Sequence, residues 1–247
     1  MTTAAFDSMA AVYDDLWTNS TIGQLQRAAF WRHAGPLFRP GETVLDLGCG
    51  TGEDAALLRD RGIRTLAIDS SPEMVRVACE RGIDARLLRI EDISRIEHGL
   101  RFDACISNFG ALNCVERLSD RREPLARLIG SGGYLVVCTI GRFCLWETFW
   151  YALHGEFRKA ARRWSGTSLS SLGLTVYYPR VDEIRKALSP AFELVSTVGI
   201  GVCVPPSYIR TLSPGVLHLL DRIDRSIAGW RGVRAVSDHR LLVFRRF

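Results

Sequence analysis

The stretch VLDLGCGTGEDAALL, Val44–Leu58, constrains the fold of this chain more than any other segment. An apolar run enters three glycines at alternate positions, Gly48, Gly50 and Gly52, and leaves into residues of helical character. Glycine supplies positive φ without a Cβ penalty and lets a ligand approach bare backbone. The segment therefore reads as a buried strand, a ligand-binding turn and a helix. The dinucleotide fingerprint G-x-G-x-x-G seats a pyrophosphate on the helix N-terminus. Here the glycines alternate without a gap, and an acid, Asp46, stands just before the first of them.

The unit repeats along the chain. TVLDLG, RTLAIDS, DARLLRI, FDACISNF and GYLVVCTI read as strands, separated by segments with helical spacing, and HRLLVFRRF closes the chain as a further strand. Ser71, Pro72 and Glu73 form a helix start: a capping hydroxyl, a proline at the first helical position and an acid in the first turn. Strands apolar on both faces, alternating with helices, predict an α/β fold with a doubly wound parallel sheet covered on both sides. Residues 1–40 read as largely helical. Towards the end, Val216, Leu219, Leu220, Ile223, Ile227 and Trp230 fall on one helical face, with Asp221, Arg222, Asp224 and Arg225 mostly elsewhere.

Charge discriminates between ligands at the glycine turn. A carboxylate beside the turn disfavours a pyrophosphate and favours a ligand bearing an ammonium group. At about 4 Å and an effective dielectric near 20, one such charge pair is worth roughly 4 kcal/mol before desolvation. S-adenosylmethionine carries an ammonium and a sulfonium and no phosphate. Asp69, at the end of the next strand, is placed to accept from both ribose hydroxyls, a role that NAD enzymes share. Glu91 and Asp92 follow the third strand at the same edge, where a carboxylate can accept from an adenine amine or simply face solvent.

Asp46 with its glycines, Asp69, RIEDI and FDACISNFGALNCV, in this order, resemble the class I S-adenosylmethionine-dependent methyltransferases, of the small-molecule type. The resemblance runs from YDDLW to the last strand and is weakest over 141–180 and 205–235. Ser131 stands where the family usually has the proline of a P-G-G turn. The resemblance implies a Rossmann-like, seven-stranded sheet with its last strand antiparallel. It implies that Asp46, Gly48 and Gly50 line the methionine end of the cofactor, with Cys49 and Gly52 among its contacts, and that Asp69 holds the ribose with Ser70 near the adenine. Asp92 and Ile93 are assigned to the adenine, with Met74 and Glu91 as further cofactor contacts, and Ser107, Asn108 and Phe109 to the edge of the reacting sulfur. Tyr13, in AAVYDDLW, resembles a lid tyrosine that closes over the cofactor.

The division that follows is a single methyltransferase domain over 1–247: a helical lid at 1–40, a cofactor-binding core at 41–140, an aromatic cap insertion at 141–180, and a closing half at 181–247 with a helical insertion at about 205–235. The cap should lie over the sulfonium, so Trp146, Trp150, Tyr151 and Tyr177, with Asn113, are expected to wall the pocket of a small apolar, aromatic or lipid-like acceptor. His154 is the candidate general base. Two other classes stay open: an RNA or other nucleic-acid methyltransferase, and a non-catalytic module that kept the cofactor fold. Against the first, SNFG stands where base methyltransferases typically carry N-P-P-Y or D-P-P-Y. Seven cysteines without C-x-x-C spacing suggest free thiols in a reducing, cytoplasmic setting. The basic run EFRKAARRW is expected to form a solvated helix face. No metal is expected. Nor is a transmembrane segment, which leaves room for peripheral membrane contact, and a monomer and a homodimer are equally compatible.

Overall fold

The structure is a computed structural model and describes residues 4–247. Its elements, in chain order, are α1 (Ala4–Asp7), α2 (Ala10–Tyr13) running into a π-helical turn (Asp14–Thr18), α3 (Thr21–Ala34), β1 (Thr43–Leu47), α4 (Glu53–Asp60), β2 (Arg64–Asp69), α5 (Pro72–Glu80), β3 (Asp84–Leu87), β4 (Phe102–Ser107), α6 (Arg122–Leu128) and β5 (Ile129–Ile140). They continue with α7 (Leu145–Leu153), α8 (Phe157–Ala160), β6 (Thr167–Leu169), β7 (Thr175–Tyr177), α9 (Val181–Leu188), β8 (Phe192–Ile200), α10 (Pro214–Ile227) and β9 (His239–Arg246).

Seven strands form one sheet in the order β3-β2-β1-β4-β5-β9-β8. β1–β5 pair in parallel, and β9 inserts antiparallel between β5 and β8. The expected seven-stranded sheet with an antiparallel last strand is thus the observed one. Neighbouring residues of the central strands serve opposite faces. Leu135, Val137, Leu242 and Phe244 face one core, with α6 and α9, while Val136, Cys138, Leu241 and Val243 face another, with α3. That two-sided burial is why these strands read as continuous apolar runs.

The strand order reverses between β1 and β4, so their carboxyl ends diverge and leave a crevice there, the usual place for a ligand in an open α/β sheet. Ser71 caps α5 as its sequence suggests, accepting from Met74 N at 3.2 Å. α10 departs from expectation. Its buried residues are Leu217, Asp221 and Asp224, and most of the apolar arc drawn by the sequence faces solvent. No helix among the described residues is long and apolar enough to cross a membrane.

Candidate active site at the carboxyl edge of the sheet

The glycine turn is shaped by backbone bonds that only its sequence allows. Gly48 N and Cys49 N both donate to Ile68 O, at 2.8 and 3.0 Å, folding the chain tightly over β2. Gly48 has φ +74°, and a Cβ there would lie 2.3 Å from the Ala111 Cβ. Gly50 also has positive φ, +54°, but a Cβ there would meet nothing within 4 Å. One glycine is required by packing; the other leaves an open cradle.

Two acids flank that cradle. Asp69 accepts from Gly50 N and Ser71 N, each at 2.9 Å. Burial raises its pKa, and these backbone bonds only partly oppose the rise. Asp46 is buried at the end of β1, with Oδ2 unpartnered. Its carboxyl is pushed well above the usual carboxylate range, first by burial and then by the nearby Asp54 and Asp69, with Arg27 opposing. A buried carboxylate oxygen without a donor is costly unless a ligand supplies one.

The N-terminal helices close over this edge. Asp14 accepts from Thr51 Oγ1 at 2.8 Å and pairs with Arg81, while Ser71 Oγ donates to Asp7 at 2.5 Å. Tyr13 is half-buried, and its hydroxyl is pushed up to about 12, by burial first, then by Asp54, Asp69 and Asp14 against the opposing Arg27. Tyr13, expected as a lid residue, is thus close enough to Asp54, Asp69 and Asp14 to feel their charge. Asp54, in the first turn of α4, is gripped by Trp31 Nε1 at 2.7 Å, Asn108 Nδ2 at 3.0 Å and Arg27 at 2.6 Å. Asn108 in turn accepts from Phe109 N at 3.0 Å. Phe109 adopts φ +45°, a strained conformation for a bulky side chain that persists only where its surroundings over-determine it. Here its ring meets Trp17 at 4.4 Å and His239 edge-on at 5.4 Å.

Beyond Phe109 lies a pocket of about 190 Å³, lined by Trp17, Ile140, Tyr178, Tyr208, Asp238 and His239 among others. His239 opens β9 opposite Ile140, the last residue of β5. Its Nδ1 lies 3.2 Å from Asp238 Oδ2. Asp238 also accepts from Gln26 at 3.2 Å and Arg163 at 2.9 Å. Burial alone would raise the Asp238 carboxyl, but His239 and Arg163 outweigh it and hold it well below the ordinary range. Arg163 reaches on to Glu147 at 2.6 Å, and Arg162 grips both Glu147 oxygens at 2.8 Å. Tyr208 donates to Glu147 at 2.5 Å. The Glu147 carboxyl is likewise lowered, burial being overcome by Arg162 and Arg163. A larger cleft of about 290 Å³ opens at the opposite edge of the sheet, between Pro36, Asp103 and Tyr134, far from this chemistry.

The sequence profile of a family described as "Methyltransferase domain" matches residues 38–173, more than half of the chain. The chain belongs to this methyltransferase domain family. Demethylmenaquinone methyltransferase of Clavibacter sepedonicus is 34% identical over 147 residues, 55% of this chain and 56% of that protein. Ubiquinone biosynthesis O-methyltransferase of Xanthomonas campestris pv. campestris is 32% identical over 115 residues, 42% and 45% of the two chains. The chain thus spans about half the length of the curated relatives it matches. Geranyl diphosphate C-methyltransferase of Streptomyces coelicolor A3(2), solved with Mg2+, geranyl diphosphate and S-adenosyl-L-homocysteine, superposes with a TM-score of 0.58 at 16% identity, over 91% of this chain and 80% of that one. At that identity the likeness concerns the fold.

The residues at the glycine turn fit the S-adenosylmethionine that the sequence implies as cofactor. The unpartnered Asp46 oxygen matches an ammonium, the open space over Gly50 admits a ligand against backbone, and Asp69 stands where a ribose would lie.

The sequence-derived residues divide between this edge and other places. Asp46, Gly48, Cys49, Gly50, Gly52, Asp69, Ser70, Ser107, Asn108 and Phe109 gather at the carboxyl ends of β1, β2 and β4. Glu91 and Asp92 are half-buried beyond β3, facing Arg89 and Arg95, whereas Met74 and Ile93 are buried, Ile93 in the main core. In the cap, Tyr151 stacks on Tyr208 at 5.8 Å and so borders the pocket. Trp146 instead donates to Cys203 O at 2.7 Å, and Asn113 Nδ2 holds the carbonyls of Tyr177 and Ile140, at 2.6 and 3.3 Å. Trp150 packs 4.4 Å from the ring of His154, which is exposed with Nδ1 2.7 Å from Trp150 O; neither lines the pocket. Tyr178, rather than Tyr177, faces it. Contrary to expectation, the basic run turns inward at Arg162 and Arg163, because buried Glu147 draws both. Trp17, Arg27, Asp54, Arg163, Tyr208, Asp238 and His239 carried no local signal, since each gains its place from a distant partner.

Proposed function

We propose that this chain transfers a methyl group from S-adenosylmethionine to a small hydroxylated aromatic acceptor of quinol type, with His239 as the base. The observation that carries the cofactor half is the buried, unpartnered Asp46 oxygen beside the open Gly50 cradle. Bound there, the sulfonium supplies a methyl group already activated for displacement. The remaining work falls to alignment, exclusion of water and removal of one proton. Asp238 Oδ2 lies 3.2 Å from His239 Nδ1, close enough to stabilise an imidazolium though not aligned as a hydrogen bond, and Nε2 is the nitrogen that takes the proton from an acceptor hydroxyl. Trp17, Ile140 and Tyr178 offer apolar and aromatic walls for a ring. At about 190 Å³ the pocket falls below the roughly 300–1,000 Å³ that encloses a drug-sized ligand, so it suits the reacting head of an acceptor whose tail stays outside. The quinone-related names of two relatives support the same class.

The test is transfer of a labelled methyl group to a panel of dihydroxylated aromatics, beside calorimetry with S-adenosylhomocysteine and with NAD. Binding of the homocysteine compound alone, with label in a phenolic acceptor, is the expected result. Binding without transfer to any acceptor would favour a non-catalytic module. His239→Gln should lower kcat by about 10²- to 10⁴-fold, the usual contribution of a positioned base. S-adenosylhomocysteine affinity should stay unchanged. Equal losses of rate and cofactor affinity would make His239 a structural residue instead.

A further inference from the structure

Helix α10 presents its apolar side to water and its acids to the protein. Asp224 accepts from Cys203 N and Val204 N at 2.7 and 3.1 Å, and Asp221 pairs with Arg225 at 2.6 Å and faces Arg32 at 3.6 Å. With both acids committed inward, the outward apolar arc stands uncovered: Val216 is 42% exposed, Leu219 56% and Ile223 43%, with Trp230 at 63% just beyond the helix end. At 100° per residue this arc lies between the buried one and an arc of His218, Arg222 and Arg225, all exposed. Between Pro205 and Val236 the only acidic residues are Asp221 and Asp224, and both are buried. Arg225 is paired with Asp221, so the exposed positive charge of the segment comes from Arg210, Arg222 and Arg231, which have no carboxylate partner among the described residues.

We propose that α10 and Trp230 form a docking surface for an anionic lipid bilayer. A helix lying in the interface needs an apolar strip to enter the acyl boundary, cationic side chains for the phosphates and an aromatic at headgroup level; this segment supplies all three. A second copy of the chain is the competing occupant, and charge argues against it. In a two-fold pairing the same patch meets itself, so Arg222 and Arg231 would be brought against a surface carrying the same cations and no exposed acid to receive them. The loop that leads into α10 carries Pro206, Ser207 and Tyr208 of the pocket wall. A docked α10 would thus hold that wall close to the bilayer, a consequence that rests on the proposed acceptor class, whereas the docking itself does not.

The experiment is co-sedimentation of the full chain with vesicles of phosphatidylcholine alone, or mixed with phosphatidylglycerol, at low and high salt. Binding is expected to the phosphatidylglycerol vesicles and to weaken with salt. The pair Leu219→Ser and Ile223→Ser should lower the bound fraction about tenfold, and Arg222→Glu with Arg231→Glu should do so for anionic vesicles. S-adenosylhomocysteine affinity and melting temperature, unchanged in both variants, would show that the fold and cofactor site are intact. Binding that survives both pairs of substitutions overturns the proposal, as does failure to bind either vesicle. A dimer in sedimentation velocity that Leu219→Ser with Ile223→Ser dissolves would assign the face to a second copy.

Discussion

Arg163→Ala is expected to lower the melting temperature by roughly 6–20 °C. Removing one partner of a buried ion pair costs about 3–5 kcal/mol, and a chain of this size loses roughly 2–4 °C per kcal/mol. Arg163 is almost fully buried and joins Glu147 at 2.6 Å to Asp238 at 2.9 Å, while also donating to the carbonyls of Gly141 and Asp238. Alanine leaves Asp238 buried with His239 and Gln26 as its remaining side-chain partners. The pH dependence separates charge from packing. Asp238 and Glu147 both titrate below the usual carboxylate range in the folded protein. The stability they contribute is present above the unfolded-state value near pH 4 and is lost as pH falls through the lowered folded values. The gap in melting temperature between wild type and variant should therefore be widest above about pH 5 and shrink below it. A gap independent of pH would mean that Arg163 acts by filling space. Because Asp238 also faces His239, the variant should lose turnover as well.

How much of this was legible in the sequence follows from where each partner lies. The glycine turn, Asp46, Asp69 and the Ser71 cap were readable because strand, turn and helix start are contiguous in sequence, and parallel β1 and β2 bring their carboxyl ends together automatically. The pocket beyond Phe109 is different. Trp17, Arg163, Tyr208 and His239 meet because the π-helical turn after α2, the turn after α8, the loop before α10 and the start of β9 converge on one edge, and no spacing within the chain announces it. The aromatic cap drew attention to its tryptophans, yet the residue that organises it is Glu147, an acid inside an apolar helix that binds Arg162, Arg163 and Tyr208. α10 makes the same point about helices. Its pattern defines an apolar arc, but which arc is buried was decided by backbone donors at Cys203 and Val204 that claim Asp224.

Asp46→Asn should exchange cofactor affinity for stability. Asparagine keeps the shape of the side chain and removes the charge that an ammonium would meet. Loss of a charge-assisted hydrogen bond of about 1.5–3 kcal/mol corresponds to a roughly 10- to 150-fold weaker affinity for S-adenosylmethionine. The ligand-free protein should move the other way. Burial, Asp54 and Asp69 raise the Asp46 pKa in the folded chain, so between the unfolded and folded values the native state holds the extra proton. Stability contributed by this site therefore declines as pH rises above about 4, the unfolded-state value, until the raised folded value is passed. Asparagine is free of that decline, so the variant's melting temperature should overtake the wild type's on going from acid to neutral pH. Cofactor binding to the wild type must also expel the proton, since an ammonium is matched only by the ionised carboxylate. Calorimetry in buffers of different ionisation enthalpy should detect proton release below the raised pKa in the wild type and less in the variant. Weakened binding with unaltered proton release would move the ammonium to another acid of the cluster, Asp54 or Asp69; unweakened binding would remove Asp46 from the cofactor site.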